Sequence, residues 1–457
     1  MQSWASEELR YVQLGDARLN RRLVKMVETF SENPECSVPK ACKTWAATRA
    51  SYEFWDNPRV KPDDIIQAHK KSTIERIQGE DTILAIQDTT GLDFTKHPKT
   101  KGLGHLDHPA VSGLKVHSCL TVSLQGVPQG LIHQKVWARD PKTKGKKHQR
   151  QKLATKDKES QRWLDTLRAS QEAIPEGIKV ITVADREADI YDLFAMPRRE
   201  GVHLLIRVSY NRRVDHEAKY LWEAIRESPV IGQVEVEVGR KGDQPSRYAL
   251  LSVRVARLSI KAPRNRKGKL PDIPVHMVLA EEETPPSGVK PLCWLLLATF
   301  PVTSFQDAMN CIEYYSHRWL VERYHFVLKS GCGVEKLQLE EASRIHRAFA
   351  TYCIVAWRLL WLTYQARYNP DLPCDRVLET HEWQSLYCTI HNTPIPPAKP
   401  PSLHNAVLWI AKLGGFLGRK CDGEPGVKTI WRGMSSLHYI ASTWKLLHTT
   451  HPILFDT

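Results

Sequence analysis

The decisive stretch of this chain is Tyr315-Ser316-His317-Arg318-Trp319-Leu320-Val321-Glu322-Arg323-Tyr324-His325-Phe326-Val327-Leu328-Lys329. A helix turns by about 100° per residue, so a helix over this stretch places Tyr315, Arg318 and Glu322 on one face. Trp319 and Lys329 fall on the same side. The opposite face is apolar and consists of Leu320, Val321, Tyr324, Val327 and Leu328. The spacing predicts one continuous helix that packs on a core and presents a tyrosine, two cations and a carboxylate, although a solvated polar face is the simpler alternative.

Two further carboxylates follow short apolar runs that are typical of buried strands. Asp88 comes directly after the run 83–87, and Asp185 comes directly after the run 180–184. Ligands gather at the ends of strands in open α/β sheets, so both positions are candidates for a functional site. Aspartate is also a common strand terminator and helix N-cap, so neither residue is strong evidence by itself.

Three carboxylates that converge on one point require a cation, because otherwise they repel one another and take up protons. Ligand sets made only of oxygen favour Mg²⁺ or Mn²⁺ over zinc. Two such ions, about 3.5–4 Å apart, support in-line cleavage of a phosphodiester. The carboxylates of Asp88, Asp185 and Glu322 would form such a set. The neighbouring cations Arg318 and Lys329 would then hold the flanking phosphates.

The charge of the chain points to a polyanionic partner. Its 457 residues include 65 Lys and Arg against 51 Asp and Glu, a formal net charge of +14. Between residues 94 and 158 there are 14 basic and 3 acidic residues, and the densest part contains Lys144, Lys146 and Lys147. A second basic run spans 264–269. Such runs indicate loops that contact phosphate, although solvated basic loops would have the same composition.

An amphipathic pattern near the start of the chain bears on the same question. The cationic face consists of Arg18, Arg21, Arg22 and Lys25, and the apolar face of Leu19, Leu23, Met26 and Val27. The pattern fits either a surface helix with a polar side or a helix that presents a cationic stripe to DNA.

The order of the elements predicts the fold class. The residues up to about 80 read as helices, and strand-like runs follow at 82–87, 116–124, 130–137, 179–184 and 203–208. With a helix at 158–173 between them, they indicate an α/β sheet of mixed direction. The region 212–300 reads almost entirely as strands and predicts an inserted β-rich subdomain. The remainder is helical, interrupted by proline-rich segments.

The composition also excludes some classes of protein. There is no run of about 18 apolar residues, and the first residues lack the apolar stretch of a signal peptide. The ten cysteines are scattered with no C-x-x-C pair, which is typical of reduced thiols in a cytosolic protein and not of a disulfide framework or a zinc ribbon. The sequence predicts a cytoplasmic protein with no membrane segment.

Residues 315, 318, 322 and 329 match the motif Tyr-x2-Arg-x3-Glu-x6-Lys. This motif resembles the signature of the bacterial insertion-sequence transposases of the IS-four family. The similarity extends, in the same order along the chain, to residues 87–90, 185–190, 294–297 and 411–416. The chain most resembles the cut-and-paste DDE transposases of the Tn-five type, and the resemblance covers nearly its whole length.

The resemblance implies an architecture and a metal site. The core is expected to be a ribonuclease-H-like mixed sheet with the antiparallel β insertion, flanked by helical N-terminal and C-terminal domains for DNA-end binding and dimerisation. The expected bounds are 1–75, then 76–368 with the insertion at about 212–300, then 369–457. Asp88, Asp185 and Glu322 take the places of the catalytic DDE triad, which binds two Mg²⁺ ions, with Mn²⁺ as a substitute.

The resemblance also implies a reaction and its partners. Water nicks one strand, the new 3′-OH attacks the opposite strand to form a hairpin, and the hairpin is reopened before insertion into target DNA. A homodimer holds the terminal inverted repeats, in the bacterial cytoplasm at the nucleoid. The expected DNA contacts are Tyr315, Arg318, Lys329, Arg207, Trp294, Trp319, Arg18, Arg21, Arg22, Lys144, Lys146 and Lys147. Trp294 and Trp319 match the residues that act when a base is flipped during hairpin formation.

Two positions depart from the family pattern. Phe326 and Gln338 stand where the Tn-five-type protein has basic residues, so the preference for an end sequence is left open. Two other functions are alternatives: a DNA-end-binding protein or transposition repressor that does not cut, and a ribonuclease-H-like nuclease with no role in transposition. The three carboxylates argue against the first. The N-terminal cationic stripe and the Leu-Gly-Gly-Phe region near the C-terminus argue against the second.

Overall fold

The computed structural model describes residues 3–143, 155–238, 246–264 and 270–450 of the chain. Lys144, Lys146 and Lys147, together with the basic run from 265 to 269, lie outside the described residues. Within the described ranges, every helix is too short or too polar to cross a membrane.

The N-terminal part of the chain is helical, as the sequence predicts. Its helices are α1 (Trp4–Glu8), α2 (Ala17–Glu32), α3 (Val38–Cys42), α4 (Trp45–Asp56) and α5 (Pro62–Arg76). Side-chain oxygens cap three of them, Ser3 at α1, Asp16 at α2 and Thr44 at α4. Helix α2 buries Leu23, Met26 and Val27, so the predicted amphipathic helix is confirmed.

In the described residues, one mixed sheet of ten strands forms the core. The strands are β1 (Thr82–Asp93), β2 (Gly104–His105), β3 (Ser112–Ser123), β4 (Pro128–Trp137), β5 (Lys179–Ala184), β6 (Val202–Arg207), β7 (Val230–Val238), β8 (Arg247–Ile260), β9 (Ile273–Glu281) and β10 (Cys293–Ala298). Their order is β2-β3-β1-β5-β6-β10-β9-β8-β7, and β4 also pairs with β3. β5 pairs parallel with β1 and with β6, whereas the other pairs are antiparallel. The predicted mixed sheet is confirmed.

Strand β1 is longer than the sequence predicts. The apolar run ends before Gln87, yet β1 continues to Asp93 because its backbone stays paired with β3 along its length. Asp88 therefore lies within the strand, opposite Ser118, and not after its end. Asp185 follows β5 directly, as predicted.

The inserted strands do not form a sheet of their own. Strand β10 returns to pair with β6, and β9, β8 and β7 extend the same sheet outwards by antiparallel pairing. A short helix, α8 (Leu221–Glu227), precedes them. The antiparallel insertion is confirmed, and its continuity with the core sheet comes from strand pairing, which the alternation of side chains does not encode.

Helices cover both faces of the core sheet. They are α6 (Gln161–Ala173), α7 (Tyr191–Ala195), α9 (Phe305–Ser316), α10 (Trp319–Phe326) and α11 (Ala342–Tyr368). Ile83 and Ala85 of β1 pack in one apolar cluster with residues of α6 and α7. Leu84 and Ile86 pack in another cluster with residues of α9, α10 and α11. Alternate side chains of β1 thus pack into two different apolar cores, as expected for a sheet that is buried on both faces.

Three helices end the described chain: α12 (Thr380–His391), α13 (Leu403–Leu413) and α14 (Val427–Thr450). They form a separate apolar cluster with the end of α11. A Cβ at Gly433 would stand 1.7 Å from the carbonyl oxygen of Ile410, and one at Gly414 would stand 1.8 Å from that of Thr429. Glycine is therefore required where α13 and α14 approach each other, which explains the first glycine of the Leu-Gly-Gly-Phe region.

A buried carboxylate ties the N-terminal helices to the sheet. Glu8 of α1 accepts hydrogen bonds of 2.6 Å from Nη1 of Arg76 and from Nδ1 of His69. The backbone N–H of Leu131 in β4 donates to Nε2 of the same histidine at 2.9 Å, which places the ring proton on Nδ1. Burial acts to raise the pKa of Glu8, but His69 and Arg76 outweigh it and hold that pKa below its ordinary value.

We expect Glu8→Gln to destabilise the protein by about 3 kcal/mol, because it breaks a buried ion pair by removing one partner. Folding lowers the pKa of Glu8, so its stabilisation is present at neutral pH and is lost as the pH falls through the pKa of the folded carboxyl. Thermal unfolding at neutral and acid pH measures both effects. The matched control is Glu7→Gln, an exposed neighbour, which should change stability by less than about 0.5 kcal/mol. Equal losses in the two variants would contradict this role of Glu8.

Candidate active site

The parallel pairing of β1 and β5 brings two carboxylates to one edge of the sheet. Gln87 pairs in register with Ala184, so the residues that follow them, Asp88 and Asp185, occupy neighbouring positions. Asp185 caps a short 3-10 turn, and its Oδ1 accepts the backbone N–H of Glu187 at 2.9 Å. Burial, together with the negative charge of Asp88, raises the pKa of Asp185 above its ordinary value. A positive charge near this pair would therefore stabilise its ionised form.

Helix α10 brings a third carboxylate to this edge. His325 of α10 has its Nδ1 3.5 Å from Oδ2 of Asp88. Glu322 lies one turn earlier on the same helix, and its Oε1 accepts a hydrogen bond of 2.6 Å from Nη1 of Arg318. The charge of this arginine also acts on Asp88 and on Asp185. One guanidinium thus interacts with all three carboxylates.

The stretch 315–329 is not the single continuous helix that its spacing predicts. Helix α9 ends and α10 begins within it, and a π-helical turn (Val327–Gly331) follows α10. Tyr315 therefore belongs to α9, Arg318 precedes α10 as its N-cap, and Lys329 lies in the π-helical turn. At the break, the Nε2 of His317 contacts a carbonyl oxygen of the turn between β3 and β4. The helical period of the sequence gives no indication of this tertiary contact.

The residues of the predicted polar face differ in how far they are buried. Tyr315 and Arg318 are only 4% and 8% exposed, whereas Trp319 is 59% exposed. Lys329 is half-buried, and burial, with a smaller contribution from the charge of Lys115, lowers its pKa. The predicted apolar side is confirmed, since the structure buries Leu320, Val321, Tyr324, Val327 and Leu328.

The aromatic and cationic candidates for DNA contact cluster beside the carboxylates. The ring of Trp294 in β10 lies 6.2 Å from the ring of Tyr315. The guanidinium carbon of Arg318 lies 5.8 Å from the ring of Tyr315 and 5.2 Å from that of Trp319. Arg207, at the end of β6, donates to the carbonyl of the residue before Trp294 at 3.0 Å. The structure thus assembles these five side chains from four separate segments.

Three buried donors in this cluster have no hydrogen-bond partner among the described residues. They are the hydroxyl of Tyr315 and the Nε atoms of Arg318 and Arg207. A buried polar group left unpaired costs about 1–3 kcal/mol. An anionic acceptor that reaches one of these donors would offset this cost, because charge-assisted hydrogen bonds are among the stronger ones in proteins.

The cationic stripe of α2 is a separate feature. Arg18 and Arg21 are exposed, and Arg22 is half-buried. Helix α2 packs mainly against α1, α3, α4 and α11, none of which carries a carboxylate of the candidate site. The stripe is a face of the N-terminal helices that carries positive charge towards solvent.

The carboxylate edge fits a divalent cation by its chemistry. The donors of Asp88, Asp185 and Glu322 are all oxygens, and the raised pKa of Asp185 marks a place where a positive charge would be stabilising. Within the described ranges, no three His, Cys, Asp or Glu side chains already stand together as a metal-ligand group. Glu322 is engaged by Arg318 instead.

Two residues that sequence patterns do not single out lie at the site. His325 contacts Asp88. Its position one helical turn after Glu322 could have identified it, because both residues then lie on the same side of the helix. Arg162 of α6 donates to Thr89 at 2.8 Å and to Glu187 at 2.7 Å. No motif surrounds this arginine, so the sequence gives no indication of its role.

Three protein-family models match the chain. The model described as "Transposase DNA-binding" matches residues 1–60, the "Transposase DDE domain" matches 133–358, and the "Transposase Tn5 dimerisation domain" matches 354–445. The chain belongs to the Tn5-type DDE transposases. It is a DNA transposase, a metal-dependent enzyme that binds DNA and dimerises, and its sheet is a ribonuclease-H-like core. The predicted family and the predicted function as a DNA transposase are confirmed, in preference to a nuclease without a role in transposition.

The matched ranges cover only two of the three carboxylates. Asp185 and Glu322 fall inside the range matched by the DDE domain of this transposase, whereas Asp88 falls between the first two matched ranges. The assignment of Asp88 to the site therefore rests on the pairing of β1 with β5 and on its contact with His325.

We expect Asp185→Asn to raise the melting temperature of the metal-free transposase at neutral pH, because it removes a buried charge that Asp88 repels. The amide oxygen can still cap the following turn. Folding raises the pKa of Asp185, so the cost of its charge appears as the pH rises through the folded pKa and disappears in acid. Thermal melts in EDTA across a pH series measure this difference.

The control for this measurement is Asp165→Asn in α6. Burial acts to raise the pKa of Asp165, but hydrogen bonds from Gln161 and Lys135 outweigh it and lower that pKa, so this substitution should not raise the melting temperature. A melting temperature of Asp185→Asn at or below that of the wild type would show that the two carboxylates do not repel each other as the structure indicates.

Proposed function

We propose that this transposase excises a DNA element at its terminal inverted repeats, through a hairpin intermediate, and inserts the element into target DNA. We assign catalysis to Asp88, Asp185 and Glu322, with two Mg²⁺ ions that Mn²⁺ can replace. The observation that carries this assignment is the placement of two carboxylates on neighbouring parallel strands, with α10 and its Glu322 at the same edge. When bound there, the two ions would activate the attacking oxygen and stabilise the leaving oxygen.

The proposed domains are 1–75 for binding of the DNA ends, 76–368 for catalysis with the β insertion at about 212–300, and 369–457 for dimerisation. The matched ranges 1–60, 133–358 and 354–445 support this order. The exposed arginines of α2, Arg18 and Arg21, are the proposed contacts to end DNA, with Arg22 beside them. The substrate places the protein at the nucleoid of a bacterial cell.

The residues beside the carboxylates would bind the DNA backbone. Arg318 donates to Glu322 through Nη1, whereas its Nε has no acceptor in the described part of the chain. Together with the hydroxyl of Tyr315 and the Nε of Arg207, it would donate to phosphate oxygens next to the bond that is cut. The half-buried Lys329 adds a positive charge on the same side. These contacts would fix the register of the DNA without reading its sequence.

The two tryptophans differ in a way that fits separate roles during hairpin formation. The exposed ring of Trp319 stacks near Arg318 at the start of α10, where it can meet a base close to the cut. The half-buried ring of Trp294 lies next to the ring of Tyr315. A flipped base loses a few kcal/mol of stacking, and an aromatic platform returns about 1–3 kcal/mol.

We expect Asp88→Ala, Asp185→Ala and Glu322→Ala each to abolish nicking of end DNA, because each removes a metal ligand. Binding of the same DNA should persist, since affinity rests on many distributed phosphate contacts. The substrate is a duplex of the inverted repeat that flanks the coding region, assayed for nicking and for gel retardation. The matched control is Asp93→Ala, an exposed carboxylate at the far end of β1, which should nick normally. Metal-dependent nicking by Glu322→Ala would overturn the triad, and a wild type that binds but never nicks would favour the non-cutting repressor.

We expect Trp294→Ala and Trp319→Ala to slow hairpin formation much more than first-strand nicking, because only the hairpin step requires a sharply bent backbone and an unstacked base. A single-turnover gel assay follows nicked and hairpin products separately. Trp45→Ala, at an exposed tryptophan of the N-terminal helices, is the control and should leave the ratio of the two rates unchanged. Equal slowing of both steps by Trp294→Ala would assign that ring to the core.

A further inference from the structure

We propose that Arg162 is a positioning residue that fixes the spacing of Asp88 and Asp185 from the face of the sheet opposite α10. The inference rests on the proposed metal site and extends it to a residue that no motif marks. Arg162 is the second residue of α6, on the side of the sheet where the α6 cluster packs. It makes no hydrogen bond to either carboxylate. Its charge acts on Asp185 from a distance, and its hydrogen bonds act through residues next to the two carboxylates.

Each nitrogen of the Arg162 guanidinium has its own acceptor. Nε donates to Oγ1 of Thr89 at 2.8 Å, Nη2 donates to Oε2 of Glu187 at 2.7 Å, and Nη1 donates to the carbonyl oxygen of Glu159 at 2.8 Å. Thr89 is the residue after Asp88 in β1. Glu187 lies two residues after Asp185, and its backbone N–H holds Oδ1 of that carboxylate. One planar side chain therefore joins β1, next to Asp88, to the turn that follows Asp185.

The network continues to the other neighbour of Asp88. Because Oγ1 of Thr89 accepts from Arg162, its own proton is available to Nδ1 of His117, 2.8 Å away. The Nε2 of His117 then carries the ring proton and donates to Oε1 of Gln87 at 3.2 Å. Gln87 and Thr89 flank Asp88 in β1, so the chain of hydrogen bonds fixes the strand on both sides of it.

The surroundings hold Arg162 in one place. Its side chain is only 11% exposed, and its guanidinium carbon lies 5.3 Å from the ring of Trp163. A buried cation that serves three acceptors needs a rigid, forked donor, which lysine does not provide. Residues that are hydrogen-bonded directly to metal ligands typically change metal affinity by about 10–100-fold when they are removed, and Arg162 acts one residue further out, so we expect the lower end of that range.

The test measures binding of Mn²⁺ to the full-length protein by EPR titration, without DNA and without reference to cleavage. We expect Arg162→Gln to weaken Mn²⁺ binding about tenfold, and Arg162→Lys to weaken it as well, because one ammonium cannot hold Thr89 and Glu187 together. The matched control is Arg168→Gln, a more exposed arginine of the same helix, which should bind Mn²⁺ like the wild type. Asp88→Asn serves as the reference for loss of a ligand.

The outcomes separate this inference from the proposed metal site. Normal binding by Arg162→Gln beside weakened binding by Asp88→Asn would overturn the positioning role and leave the metal site intact. Full rescue by Arg162→Lys would show that charge suffices and would also overturn it. A wild-type protein that binds no Mn²⁺, or an Asp88→Asn variant that binds normally, would overturn the metal site and this role with it. If Arg162→Gln does not fold, Thr89→Val and Glu187→Gln each remove one acceptor, and normal Mn²⁺ binding in both would overturn the proposal.

Discussion

The parallel pairing of β1 with β5 is the constraint on which the site depends. It places Asp88 and Asp185 side by side at one edge of the sheet, in a place where burial and mutual repulsion oppose the charge of the second carboxylate. Such a pair is tolerated only if positive charge is supplied nearby. In a DDE transposase that charge comes from divalent metal, and the protein contributes arginines around it.

Two arginines approach this pair from opposite faces of the sheet. Arg318 lies on the α10 side, where it holds Glu322 and where its buried Nε has no acceptor among the described residues. Arg162 lies on the α6 side, where it binds the strand neighbours of the carboxylates. The first arrangement suits a contact that forms when DNA arrives, and the second suits a fixed support. The division follows from geometry, because only the α10 side carries the third carboxylate and the aromatic rings.

The N-terminal and C-terminal helices are built into the same body as the core. Glu8 of the N-terminal helices is bound by Arg76 and His69, and the same histidine accepts from the sheet. At the other end of the chain, Trp431 of α14 packs against Phe326 of α10, with ring centroids 5.6 Å apart. The region that matches the dimerisation model therefore contacts α10, the helix that carries Glu322, whereas the N-terminal helices are tied to the core sheet at β4.

The sequence by itself determined the residue types of the site, the family, most strands and the helical ends of the chain. These features follow from local signals: apolar runs before Asp88 and Asp185, and one polar motif around Glu322. Only the tertiary structure decided that the motif is broken between α9 and α10, that the inserted strands continue the core sheet, and that β1 extends beyond Asp88. Each of these depends on partners that are distant in sequence, such as the turn that meets His317 or the backbone of β3. The role of Arg162 was hidden for the same reason, because two of its acceptors lie far away in sequence, in β1 and in the turn after β5.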